Sequence, residues 1–418
     1  MAIGYACITI GVPGSGMSRC NLKNATKENI RAIISSNLSA LEKMVDYNIQ
    51  NNIKLYRISS DIIPFASHSI NQIRWWEEEK ERLKHIGMKI TKAGMRVSMH
   101  PGQYTVLNAS NTQVVQNAFQ ELIYHEKFLN TLGMDERNKL ILHIGGVYGN
   151  KAMAMNAFIN NYYLLPEEVK DRLIIENDDK NYTIQDVLSI YNEIGTPVVF
   201  DTLHHKCNAP KEILSEPLWI KKCELTWKRC DGRQKLHYSE QKKEGAAGSH
   251  SDTIFLLDFL EFYQGLYNND IDIMLEVKDK NLSAVKFNNI VLLDATAKML
   301  EVEWSRYQYF VLSRSTRLSD DIKQLLEDKE AKVAKGFYDI IEQAFILPED
   351  KDAEINVAQQ VWGYLVQDCG KAEKKRYERL LAAYENGTGL ILPVKNHLLK
   401  CARAREEEFL INSLYFYL

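Results

Sequence analysis

The chain has 418 residues, long for one domain, so a barrel of about 250–300 residues plus a second unit is the natural division. An apolar fraction of 45% is that of an ordinary globular protein, and a net charge of −3 supplies no global basic field for nucleic acid, although bound divalent ions can make one site locally positive. Seven scattered cysteines (Cys7, Cys20, Cys207, Cys223, Cys230, Cys369 and Cys401) include no CxxC pair, which argues against a disulfide framework or a cysteine zinc site and fits a reducing cytoplasm. The start MAIGYACITIG reads as a first strand rather than a signal peptide. No apolar run reaches membrane-spanning length.

Short apolar runs follow at 3–10, 55–62, 96–100, 140–146, 172–178, 197–201, 235–239 and 272–278. Most lack clean alternation, as strands buried on both faces should. Between them, Thr26 to Asn52 repeats apolar positions at three-to-four spacing, and Trp75 to Ala93, Gln113 to Leu132, Tyr182 to Ile194 and Ser251 to Tyr267 behave similarly. Lys151 to Leu164 and Pro210 to Cys223 are weaker helices. Gly94, Gly133 and Gly195 sit where helices should stop. Eight strands alternating with helices predict a parallel α/β fold, and the count favours a closed TIM-type (β/α)8 barrel over an open doubly wound sheet. The last barrel helix is expected from about Leu282 towards Met299. Beyond 291 no strand pattern appears. Runs such as 320–345 and 373–387 are rich in helix formers and mixed charge, so the expected division is a barrel over 1–290 and an all-helical accessory domain over 291–418.

Six strand runs end in, or contain, a residue able to bind metal: His100, His143, Glu176, Asp201, His237 and Glu276. His204 follows Asp201 by three residues, and His250 opens the segment after the seventh run. In a barrel all C-terminal strand ends meet on one rim, so residues distant in sequence converge there. A carboxylate directly after a buried strand needs a cation, an arginine partner or hydrogen bonds, which makes Glu176, Asp201 and Glu276 the sharpest features. Taken singly, any one of His100, His143 or His204 is more often a hydrogen-bonded structural histidine, and Glu276 alone could form a structural ion pair with equal ease. Eight together on one rim point to a metal centre of Zn²⁺, Mn²⁺ or Fe²⁺ type. His85, His125 and His397 fall on helices away from the rim and read as surface or packing residues. Lys235, two residues before His237, projects from the same strand face. It is either directed at phosphate or solvent, or carboxylated by CO₂ to supply an anionic oxygen ligand.

These residues sit in motifs that follow one another over about residues 1–285: RISSDIIPFASH, SMHPGQY, LHIGGVYGNK, IIENDDK, VVFDTLHHK, KLHYSEQ, GSHSD and DIMLEVKDK. In content and order they resemble the ultraviolet damage endonuclease family. The resemblance implies a barrel related to endonuclease IV, with up to three divalent ions, manganese first and zinc, cobalt or magnesium as alternatives. It implies a nick 5′ to ultraviolet photoproducts and some other lesions in double-stranded DNA, made by metal-assisted hydrolysis. Carried over residue by residue, it places His100, His143 and Glu176 on one ion. Glu176 would bridge to a second ion held with Asp201, His250 and Glu276. A third would use His204 and His237, with Lys235 in place of an aspartate of endonuclease IV. Glu176, Asp201, Glu276, His204 and Lys235 are the catalytic candidates. Gln103 and Tyr104 resemble the pair that probes the helix at the lesion, Tyr5 and Lys151 are candidate contacts to lesion or phosphate, and His68, in the family's Ser-His pair, is a contact to metal or phosphate. The C-terminal region, notably 361–399, is similar to a helical domain of unknown function found beside repair proteins. A monomer in the cytoplasm, with no membrane partner, is expected.

The main rival is a xylose-isomerase-like sugar isomerase or epimerase, which also gathers Glu, Asp and His on a barrel rim but has little use for His100, His204 and His237. A lesion-binding protein without cleavage is the third class.

Overall fold

A computed structural model describes all residues, 1–418. Eight parallel strands close on themselves in sequence order: β1 (Ile3–Cys7), β2 (Leu55–Ile58), β3 (Arg96–Met99), β4 (Leu140–His143), β5 (Leu173–Glu176), β6 (Val198–Asp201), β7 (Lys235–Tyr238) and β8 (Asp272–Leu275). Each expected run contains its strand, but the strand is shorter, because pairing stops where the loops begin. The closed barrel and the separate helical C-terminal part are those read from the sequence.

By its contacts the chain forms two units, Met1–Thr9 with Gly14–Asn288 and Ile10–Pro13 with Asn289–Leu418. In the first, amphipathic helices follow the strands. The helix Lys27–Gln50 starts at Thr26, whose side chain accepts from the Asn29 amide. Ile184–Ile194 opens with a capping box between Thr183 and Asp186 and ends at Gly195, whose φ of 71° only glycine adopts without strain. Four helical expectations need correction. Trp75–Ala93 is two helices, Trp75–Glu78 and Lys80–Lys92, broken at Glu79. Ser251–Tyr267 yields only Leu256–Gln264, because the Ser251 backbone bonds to Glu240 and Lys278 instead. Pro210–Cys223 shrinks to Glu216–Glu224, with Pro217 in its first turn. The stretch from Leu282 to Met299 is not one helix: Asn281–Phe287 runs into a wider turn, Asn288–Leu292, Asp294 takes a φ of 45°, and a new helix begins at Ala297.

Strand register fixes which side chains point inward. Ala6 pairs with Arg57, Arg57 with Ser98, His143 with Glu176, Asp201 with His237, and His237 with Met274. Alternation then puts Arg57, His143, Glu176, Asp201, Lys235, His237 and Glu276 on the inner face. The inner face of β1 is small (Ala2, Gly4, Ala6), and a Cβ on Gly4 would lie 1.9 Å from the Leu55 carbonyl oxygen. Tyr5 has the opposite parity and points into the layer between strand and helix.

The second unit is helical, with Ala297–Leu312, Thr316–Leu325, Ala334–Ile346, Lys351–Leu365, Lys371–Glu385 and Ile391–Ala404 as its main elements. Its core includes Val357, Val361, Leu365, Val394, Leu398 and Tyr415. No helix of the chain is long and apolar enough to cross a membrane.

Candidate metal centre

The strand ends converge. Glu176, the last residue of β5, is 1% exposed and lies at the centre. Its Oε2 is 3.2 Å from His100 Nε2 and 3.6 Å from His143 Nε2. Its Oε1 is 2.5 Å from His237 Nδ1, and that nitrogen is 3.2 Å from Glu276 Oε1. The ligand atoms form two sets, each within 4.8 Å: His100, His143 and Glu176, and Glu176, Asp201, His237 and Glu276. Glu176 belongs to both. His204 and His250 flank them, with His204 Nδ1 3.7 Å from Asp201 Oδ1 and His250 Nε2 3.8 Å from Glu276 Oε2. His237 therefore sits with the acidic set rather than apart with His204.

The electrostatics follow from crowding charges in a dry place. Burial alone would neutralise Glu176, yet His237 and His143 hold its carboxyl well below the ordinary range. Burial likewise opposes the charge on Glu276, and Arg57 followed by His237 keeps it ionised. Asp201 is pushed up to about 6 by burial, against His204. Burial disfavours the protonated form of His204, but Asp201 and its fellow carboxylates raise it to about 9. His143 is pushed down to about 4 by burial.

Several atoms lack what a buried polar group needs. Asp201 Oδ2, His237 Nε2 and His143 Nδ1 are buried with no hydrogen-bond partner. Such orphaned groups cost about 1–3 kcal/mol each. A cation facing Asp201 Oδ2 removes that cost, and mixed imidazole and carboxylate donors suit a divalent transition ion. These residues can hold metal. Lys235 is also fully buried with its Nζ unpartnered, and burial holds its pKa well below the ordinary lysine value.

The other expected residues lie elsewhere. Tyr5 is a correction: it is fully buried, its hydroxyl bonds Thr9 and Asn48, and it cannot touch a lesion from there. Lys151 pairs with Asp186 at 2.5 Å. His68 accepts from the Ile70 amide at 3.0 Å and lines an 860 Å³ cavity with Tyr104, Ser67 and Glu121. Tyr104 is 66% exposed, its hydroxyl 3.5 Å from Glu121 Oε1, and Gln103 beside it is exposed.

Two residues escaped the sequence reading. Arg57, inside β2, forms an ion pair with Glu276. A lone arginine in the apolar run LYRI was the available signal. Asn177, fully buried, exchanges hydrogen bonds with the Asp201 backbone at 2.9 and 3.1 Å, and its carbonyl lies 3.0 Å from His204 Nδ1. It ties the end of β5 to that of β6.

Comparison with known proteins shows the family. The family model described as UV-endonuclease UvdE matches residues 6–305. The chain belongs to the UvdE family. A UV DNA damage endonuclease of Clostridium perfringens (strain 13 / Type A) is 40% identical over 363 residues, covering 84% of each chain. That share exceeds what residues 6–305 supply, so the likeness continues into the helical unit. Another UV DNA damage endonuclease, of Bacillus velezensis, is 31% identical and covers 63% of this UvdE-family chain and 83% of its own. The crystal structure of SacUVDE superposes with a TM-score of 0.66 at 35% identity, covering 70% of this chain and 98% of that one. Residues 308–418 match a family described as a protein of unknown function, DUF1722.

Proposed function

We propose that this UvdE-family nuclease nicks double-stranded DNA 5′ to ultraviolet photoproducts, and that it does so with divalent ions held at the barrel mouth. The observation that carries the reading is the shared carboxylate: Glu176 stands in both donor sets, as a ligand bridging two ions would. When bound, such ions supply Lewis acidity and lower the pKa of water to near neutrality. Manganese is the first candidate.

The chain's own residues divide the remaining work. His100, His143, Asp201, His237, His250 and Glu276 supply the donors around Glu176, and Arg57 keeps Glu276 ionised and oriented. His204, whose Nδ1 lies 3.7 Å from Asp201 Oδ1, stays with His237 a candidate ligand for a further ion. Lys235, buried and unpaired, is chemically suited to take up CO₂, because a neutral amine is the reactive form. Gln103 and Tyr104 project from the loop after β3 as the probe of the base stack. Tyr104 has a flat ring with a polar tip, the shape that wedges between weakly stacked bases. The 860 Å³ cavity beneath it has the volume of a small-ligand site, enough for a displaced base. His68 and Lys151 remain contacts for phosphate outside the metal sets. Every proposed ligand lies before Asn288, so the barrel unit is the chemical unit and the helical unit an accessory to a monomeric enzyme.

The test is the nicking of irradiated against unirradiated supercoiled plasmid by the full chain, with manganese and with chelator. Ketose isomerisation is measured in parallel. Equal nicking of both plasmids, or isomerisation without nicking, overturns the reading.

A further inference from the structure

The helical unit carries a donor set of different chemistry. Cys369 and Cys401 are buried, and their sulfurs lie with a carboxylate oxygen of Glu373 within 4.8 Å of one another. Two four-residue steps bring these groups together. Cys369 follows the short turn Val366–Asp368, and Glu373 lies in the first turn of Lys371–Glu385. His397 and Cys401 are one turn apart on Ile391–Ala404, so their side chains share a face. His397 is also buried, with its Nε2 3.7 Å from the Cys401 sulfur. The same sulfur is 3.7 Å from Glu373 Oε1.

Zinc bound tetrahedrally by sulfur at about 2.3 Å and nitrogen at about 2.0 Å spaces its ligand atoms roughly 3.4–3.8 Å apart. Both measured separations fall in that range. We propose that Cys369, Glu373, His397 and Cys401 form a structural zinc site in the helical unit. The ion clamps Ile391–Ala404 to the start of Lys371–Glu385. This revises two sequence expectations, that the cysteines carry no zinc site and that His397 only packs.

The charges balance. Two thiolates and a carboxylate around Zn²⁺ leave one negative charge, and Arg405 supplies the positive one. Its Nη2 donates to Glu373 Oε2 at 2.8 Å and to the Asp368 carbonyl at 2.7 Å, so Oε1, turned towards Cys401, remains for the metal. A weaker contact from Nη1 to Oε1, at 3.4 Å, is what the ion displaces. The Nε2 of His397 now bonds the Glu373 carbonyl at 3.0 Å, and binding moves its proton to Nδ1. Each thiol releases one proton to solvent, so one zinc frees two. Burial lifts both thiols above the ordinary range, Cys401 to about 12, so thiolates form here only alongside a cation.

The experiment titrates metal-stripped, full-length protein with cobalt(II) as the spectroscopic substitute for zinc. The barrel's donor sets contain no sulfur, so a thiolate-to-cobalt charge-transfer band reports the helical site alone. The expected band saturates at one cobalt per chain, is erased by zinc, disappears in Cys401→Ser and persists in Glu276→Gln. A second measurement needs no variant: zinc should slow alkylation of Cys369 and Cys401 at least tenfold relative to chelator-treated protein, as mapped by mass spectrometry. No thiolate band, a band surviving Cys401→Ser, equal alkylation with and without zinc, or recovery of the two cysteines as a disulfide each overturns the proposal.

Discussion

The barrel and the helical unit gather metal-binding groups by opposite routes. In the barrel, parallel strands bring together residues scattered from His100 to Glu276, all oxygen or nitrogen donors, and several buried atoms are left without a partner. In the helical unit, two pairs of residues four apart meet, two of the four donors are sulfur, and an arginine closes the charge. Under the proposed reading the first arrangement would leave coordination positions for a substrate, as catalytic sites do. The second offers four donors to one ion, which would fill a tetrahedral shell as structural sites do. Donor type and route of assembly thus assign different work to two clusters in one chain.

The sharpest way to break this contrast is at the shared end of the barrel set. Glu276→Gln removes the partner of Arg57, His237 and His250. Nicking of irradiated plasmid should fall roughly a thousandfold or more, with less metal bound in the barrel and a folded protein. Wild-type cleavage at wild-type metal content refutes the shared cluster.

Arg57→Gln tests whether the barrel is charge-balanced only with help. In chelator the variant should lose about 3 kcal/mol of unfolding free energy, because Glu276 is left buried beside histidines alone. Manganese should stabilise the variant more than the wild type, as judged by the shift in melting temperature. Equal shifts remove Arg57 from the electrostatics of the site.

His125 offers a control within the barrel but outside the donor sets. Burial holds its pKa at about 4, against about 6.5 in an unfolded chain. As pH falls, the unfolded chain takes up this proton first. The stability His125 contributes is complete above pH 6.5 and is lost down to pH 4. Between pH 7.5 and 5.0, His125→Gln should therefore lose about 2 kcal/mol less than wild type in urea unfolding. Parallel losses contradict the burial argument. The smallest effect belongs to the probe: Gln103→Ala with Tyr104→Ala should reduce preference for irradiated over intact duplex about tenfold, with barrel metal content unchanged.

Much of the barrel was legible because its signals are local. Runs such as LIIE and VVFD announce both a buried strand and the carboxylate that ends it. What stayed hidden depends on partners far away in the chain. Arg57 could be noticed as an oddity, but Glu276, its reason for being there, lies at the other end of the barrel. Tyr5 was misplaced because a family resemblance says nothing about strand parity, and parity turns it towards Asn48 rather than the mouth. The stretch 282–299 carries a helical pattern that a wider turn and Asp294 interrupt. Cys369 and Cys401 were dismissed for lacking a two-residue spacing. The helical cluster uses a four-residue spacing twice, and only packing shows that the two halves meet.

The central claim, that this UvdE-family barrel cuts damaged DNA through metal held around Glu176, is tested most directly by restoring activity to stripped protein. Full-length chain freed of metal should not nick irradiated plasmid, should regain nicking on addition of manganese, and should leave unirradiated plasmid intact throughout. Undiminished nicking by the stripped protein, or equal cutting of both plasmids after manganese is restored, would contradict it.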